Sequence, residues 1–152
     1  MPRPPHAELS YNAGLIADPA QFAREHPGAS WLYLCGEEFA EMDGGMSYAD
    51  VQAAVDVSAN VVSDPPRSLD MDLARRQLAA LGELPRPTLV TCRSGARSSA
   101  LIHLYEGLRS GEPAEQVLAR AEREGAPCAQ SAECRAWLEQ GLRELAGGGA
   151  AP

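Results

Sequence analysis

The run Thr88-Leu89-Val90-Thr91-Cys92-Arg93-Ser94-Gly95-Ala96-Arg97-Ser98-Ser99 sets one thiol, two guanidinium groups and several hydroxyls around a single glycine. Leu89 and Val90 form a short apolar segment of strand type after Pro87, and a helical pattern follows from Ala96. Cys92 therefore stands at the carboxyl end of a strand. Ser94 and Gly95 then allow a tight turn that brings successive backbone N–H groups and a helix N-terminus to one point, where an anion would sit. The positive end of that helix and Arg97 favour a thiolate, so Cys92 is expected to act as a nucleophile. Ser98 can donate its hydroxyl to the sulfur, and Arg97 offers a planar fork to a tetrahedral oxyanion. Arg93, Ser94, Gly95, Ala96 and Arg97 make up the expected anion-binding set, with the direction of Arg93 left open. The plainer reading, a buried cysteine closing a strand, leaves two arginines and a glycine turn beside the thiol without a purpose.

Four residues separate Cys92 from Arg97. Protein tyrosine and dual-specificity phosphatases resemble this run in its order of thiol, glycine-containing loop, arginine and Ser/Thr, but their loop is one residue longer. Rhodanese-type sulfurtransferases resemble it through the shorter loop, and Cys-Arg-Ser-Gly-x-Arg-Ser is typical of them. Cys92, Arg93, Ser94, Gly95, Arg97 and Ser98 also resemble the motif of the beta-lactamase hydrolase-like phosphatase family, which joins a phosphatase-type fold to the shorter loop. That resemblance implies a single α/β domain of dual-specificity phosphatase type. Dual-specificity phosphatases place a general acid after the strand preceding the catalytic one, a slot that Asp64 fits, while Asp64 before Pro65 reads equally well as a turn former. Thr91 departs from the pattern, since many phosphatases carry histidine there. A rhodanese would bring an Asp-Arg strand end and a Gly-His-x-Pro-Gly-Ala turn before its thiol; His26-Pro27-Gly28-Ala29 lacks the leading residues and comes too early.

The elements that must position this loop alternate along the chain. Leu15 and Ile16 suggest a first strand, and Asp18-Pro19 opens a helix through Phe22 and Arg24 that His26-Pro27-Gly28 ends. Trp31 to Cys35 reads as a buried parallel strand, followed by an acidic loop from Gly36 to Gly45. Ser47 caps a helix carrying Val51, Ala54 and Val55; Asn60-Val61-Val62 forms a third strand, broken by Ser63-Asp64-Pro65-Pro66. Leu69 to Leu81 repeats at helical spacing. After the loop come helices over Ala100 to Leu108, stopping near Gly111, from Pro113 through Leu118, and from Cys134 to Leu145. Strands alternating with helices imply a mostly parallel sheet covered on both faces, with chemistry at the strand carboxyl ends. Residues 11–146 are expected to form the domain, with residues 1–10 and 147–152 as loose tails.

A length of 152 residues suits one domain, and 45% hydrophobic content gives it a core. A formal net charge of −8 disfavours nucleic acid and anionic membranes as partners. Every cationic side chain is arginine, which excludes lysine Schiff-base chemistry. With no long apolar run and no signal-like start, a cytoplasmic or otherwise reducing compartment is expected. His6, His26 and His103 are scattered, so neither a metal nor another cofactor is implied. Cys35 reads as a core residue, and Cys128 and Cys134 are spaced to pair but stay free in a reducing compartment. Asp70 and Asp72 belong more naturally to a helix start than to a site.

Two enzymatic readings and one binding reading are open to such a loop. As a phosphatase, the loop amides and Arg97 would hold a phosphoryl group, Cys92 would form a thiophosphate, and Asp64 would protonate the leaving oxygen of a phosphorylated small molecule or protein. As a sulfurtransferase, Cys92 would take sulfur from a sulfane-sulfur donor, with Arg93 and Arg97 stabilising the persulfide. As a module without turnover, the loop would bind an anion or sense oxidants through Cys92.

Overall fold

The computed structural model describes residues 8–26, 29–64 and 67–146. Four strands, β1 (Leu9–Tyr11), β2 (Ser30–Tyr33), β3 (Ser58–Asn60) and β4 (Thr88–Thr91), form one sheet in the order β1-β4-β2-β3. Every pairing in it is parallel. β4 is thus enclosed on both edges, with Leu9 opposite Thr88 on one side and Tyr33 opposite Thr91 on the other. All four of its residues are buried, as expected of a strand covered on both faces.

Helices α1 (Pro19–Glu25) and α3 (Tyr48–Ala54) pack together, and α3 also rests on β2 and β3. Phe22 of α1 lies 5.6 Å from Trp31, and Tyr48 of α3 stacks 6.4 Å from Tyr33, so alternate residues of β2 face this pair. The longest helix among the described residues, α5 (Ala96–Ser110), packs on β1 and β4 and carries α4 (Met71–Glu83), α6 (Ala114–Glu124) and α7 (Ala132–Leu145) around it. Trp31, Leu32, Leu101, Ile102, Leu104 and Leu138 are wholly removed from solvent at this centre, each contributing about 1.5–3 kcal/mol of apolar burial.

The helix starts follow local chemistry. Asp18, Ser47, Asp70 and Ser131 each accept an N–H of the first turn of α1, α3, α4 and α7, and Ser47 with Asp50 completes a reciprocal capping box. Asp70 caps α4 and Asp72 stands in its first turn, as their positions predict. Gly111 ends α5 in the left-handed conformation.

The first strand departs from expectation: it is Leu9–Tyr11, while Leu15 and Ile16 lie in the loop after it. Leu15 is 59% exposed, whereas Leu9 and Ser10 are buried by the ladder to β4, so partnership and not local apolarity decides the strand. β1 also begins inside the stretch read as an N-terminal tail; residues 1–7 and 147–152 lie outside the described residues, as do Pro27, Gly28, Pro65 and Pro66. The third strand starts at Ser58, two residues before Asn60. Within the acidic loop, α2 (Glu37–Ala40) forms because Phe39 turns into the core. A 3-10 turn, Pro127–Gln130, precedes α7.

Candidate active site

β4 ends at Thr91 and delivers Cys92, after which Gly95 takes φ +107° and serves as the N-cap of α5. Only glycine fits there: besides the positive φ, a Cβ at Gly95 would lie 1.8 Å from the carbonyl oxygen of Asn12. The turn folds the N–H groups of Gly95 and Ser98 onto Cys92 Sγ, at 3.1 and 3.4 Å, and Ser98 Oγ lies 3.5 Å from the same sulfur. The sulfur therefore sits at the N-terminus of a 15-residue helix, where converging donors stabilise a negative charge.

Asn12, 80 residues from Cys92, holds this loop from behind. Its Oδ1 accepts the Cys92 N–H at 3.2 Å and the Ser98 hydroxyl at 3.1 Å, while its Nδ2 donates to the Cys92 carbonyl at 3.1 Å and to Gly14 O at 2.9 Å. Gly14 N–H in turn donates to Ser94 O at 2.8 Å. On the α7 side, Ser99 Oγ accepts the Cys128 N–H at 3.0 Å.

The two arginines diverge. Arg97 keeps 11% of its side chain exposed and donates through Nη2 to Glu133 Oε1 at 3.1 Å, while its Nε is buried with no hydrogen-bond partner. Arg93 turns the other way: Nε and Nη2 donate to Asp64 Oδ2 at 3.1 and 3.0 Å, and the guanidinium lies 5.5 Å from the ring centre of Phe39. Asp64 is almost wholly buried. Its Oδ1 accepts Gly36 N–H at 3.0 Å and Arg67 Nη1 at 3.3 Å, and Arg67 continues to Glu38 at 2.8 Å. The Arg67 guanidinium holds the Glu38 carboxyl below its usual range.

Of the residues singled out in sequence, the structure brings together Cys92, Ser98 and the Gly95 amide. Arg93 is joined to Asp64. Asn12 and Glu133 escaped the sequence reading because they act through partners remote in the chain; Arg67 escaped it too, although one of its partners, Asp64, is only three positions away. The other cysteines are free and buried, Cys128 and Cys134 included, and desolvation pushes the thiols of Cys35, Cys128 and Cys134 up. Among the described residues, no group of three or more His, Cys, Asp or Glu side chains is placed to hold a metal. No helix among them is long and apolar enough to cross a membrane.

No protein-family model matches the chain, and no curated protein matches it. Solved structures do. The core catalytic domain of the PP-IP phosphatase Siw14 from S. cerevisiae, in complex with citrate, superposes with a TM-score of 0.64 at 15% identity, covering 95% of this chain and 90% of that one. A candidate phosphatase of Neisseria meningitidis gives 0.66 at 17% identity, covering 91% of this chain and 96% of its own. The fold is that of the dual-specificity-type phosphatases. A second structure of the Siw14 catalytic core, with a TM-score of 0.59 at 13% identity, covers 95% of this chain and 86% of that one. At the carboxyl end of β4 the parallel sheet gathers loops and the N-terminus of α5.

Proposed function

We propose that the chain is a cysteine-dependent phosphatase-like hydrolase acting on a phosphorylated small molecule or protein. The observation that carries this reading is the sulfur of Cys92 beneath two converging N–H groups, with the buried Nε of Arg97 left without a partner. A buried donor of that kind is costly unless a ligand supplies the acceptor, and a phosphoryl oxygen would do so. Cys92 Sγ attacks phosphorus in line: the S–P bond forms, the bond to the leaving oxygen breaks, and that oxygen takes up a proton. Water then attacks the thiophosphate, releasing inorganic phosphate and the thiolate.

The resemblance to dual-specificity phosphatases offers Asp64 as the general acid, yet its oxygens accept four N–H groups, from Arg93 twice, Gly36 and Arg67. We assign it first to anchoring Arg93, with protonation of the leaving group as the alternative. The two roles separate on a series of aryl phosphates. An anchor lost in Asp64→Asn slows every substrate by a similar factor, whereas a lost acid slows poor leaving groups and spares good ones.

The same engagement of Asp64 favours a second reading, sulfur transfer through a Cys92 persulfide, which needs no acid. Intact-mass spectrometry after incubation with an aryl phosphate or with thiosulfate decides between them. A phosphoryl adduct and phosphate release, both lost in Cys92→Ser, support the hydrolase. A sulfur-mass adduct with thiocyanate formed on adding cyanide supports the transferase. Neither adduct overturns both.

A further inference from the structure

A cavity of about 440 Å³ opens against the segment that follows β1, and Asn12 and Gly14, which hold the thiol loop, form part of its wall. Its chemistry differs from that of the loop. Leu15 and Phe22 supply an apolar surface, Asp18, Glu25 and Glu124 supply carboxylates, and among the described residues no arginine lines it. The basic group present is the imidazole of His26, which stacks 4.4 Å from Phe22 and faces that residue's carbonyl through Nδ1 at 3.2 Å. Leu15 is one of the most exposed large apolar side chains among the described residues.

Glu124 is fixed in this wall. Its Oε1 accepts the Tyr11 hydroxyl at 2.7 Å and lies 3.2 Å from Nε2 of His103, without hydrogen-bond alignment to the ring. His103 is wholly buried on α5, the helix that begins at the thiol loop. A carboxylate held in place at the edge of a cavity with one apolar wall is preorganised for a cation, because no side chain must be ordered when the ligand arrives. An anion would meet three carboxylates there, and a neutral apolar molecule would leave them unused. A cation carried on an apolar body satisfies both parts of the lining, and the rings of Phe22 and Tyr11 add a π surface.

We propose that this cavity binds an organic ammonium ion, with its charge toward Glu124 and Glu25 and its body on Leu15 and Phe22. The proposal does not rest on the reaction at Cys92. It makes the surface beside the thiol loop hostile to polyanions and receptive to molecules that carry an amine.

Calorimetric titration with phenethylammonium chloride tests it, with 2-phenylethanol and phenylacetate as matched probes. The ammonium should bind at least about tenfold tighter than the alcohol, and phenylacetate should bind more weakly still. Glu124→Gln should lose about tenfold in affinity, and Glu25→Gln, at the exposed rim, about two- to threefold. Ala17→Leu, which narrows the cavity without touching a charge, should also weaken binding, and it keeps the test informative if Glu124→Gln disturbs folding. Cys92→Ser should bind as the wild type does, so a failure of the thiol chemistry and a failure of this site are told apart. Equal affinity for the alcohol, no binding of the ammonium by the wild type, or unchanged binding in both carboxamide variants would overturn the proposal.

Discussion

Two cysteines end neighbouring parallel strands, Cys35 after β2 and Cys92 after β4, and an asparagine ties down the backbone of each. Asn60 Nδ2 donates to Tyr33 O and Cys35 O at 2.9 and 3.1 Å, as Asn12 does to Cys92 O. The segments beyond the two cysteines differ. After Cys35 the chain passes into the four-residue α2, whose first turn carries Glu37 and Glu38. After Cys92 it makes a left-handed turn at Gly95 and enters the 15-residue α5. Two N–H groups and a hydroxyl surround the sulfur of Cys92, whereas burial dominates at Cys35 and pushes its thiol up, with the nearby Cys92 adding to the effect. Position at a strand's carboxyl end thus does not by itself surround a thiol with N–H donors. The turn and the long helix after it supply the donors.

The largest expected break in this comparison is functional. Cys92→Ser should lower turnover of whichever substrate proves active by about 10³-fold or more, while Cys35→Ser should stay within a few-fold of wild type, measured as phosphate or thiocyanate release. Comparable losses in both variants would mean that the two strand ends act together. The glycines come next. In Gly95→Ala the new methyl meets backbone at Asn12 O and the residue keeps a positive φ, so denaturant unfolding should show a loss of at least about 2 kcal/mol. In Gly36→Ala the new methyl meets atoms of the Glu38, Val62 and Arg67 side chains at 2.9–3.1 Å. The Glu38 and Arg67 groups lie at the ends of long chains that can give way, and the loss should stay near 1 kcal/mol.

The sequence made the thiol loop readable because everything the loop needs is local: an apolar strand, a cysteine, a glycine at the turn and a helix start within twelve residues. The helix caps at Asp18, Ser47 and Asp70 were readable for the same reason. β1 was not, since three residues become a strand only through the β4 ladder, and the exposed Leu15 nearby mimics one. Asn12 was invisible as a site residue because its partners lie 80 and 86 positions away, and an asparagine before Ala-Gly reads as a plain turn. The direction of Arg93 was open for a related reason: Asp64, its partner, arrives on a separate crossover.

The asparagines sharpen the comparison further. Asn12→Ala strips a buried N–H and a buried carbonyl of Cys92 of their partners, and should cost about 2 kcal/mol of stability together with a fall in the alkylation rate of Cys92 by iodoacetamide. Asn60→Ala should cost a similar or smaller stability and leave that rate unchanged. Equal effects on the rate would show that Asn12 only stabilises the fold.

The last effect is a slope. Burial raises the Cys35 thiol in the native state, while in the unfolded chain it titrates near its ordinary value of about 8.5. Above that pH the unfolded state gives up a proton that the native state keeps, so the native state binds more protons and stability must fall as pH rises. One such group contributes up to about 1.4 kcal/mol per pH unit. Cys128 and Cys134, raised by the same cause, add to the fall. Unfolding free energies measured by denaturant from pH 8 to 10 should therefore decline in the wild type and decline less steeply in Cys35→Ala, whatever that variant loses at pH 7 through its smaller side chain. A slope unchanged by Cys35→Ala would mean that Cys35 ionises in the native state much as it does unfolded. Burial at the end of β2 would then leave the Cys35 thiol unperturbed, and the donors around the sulfur of Cys92 would be the difference between the two strand ends.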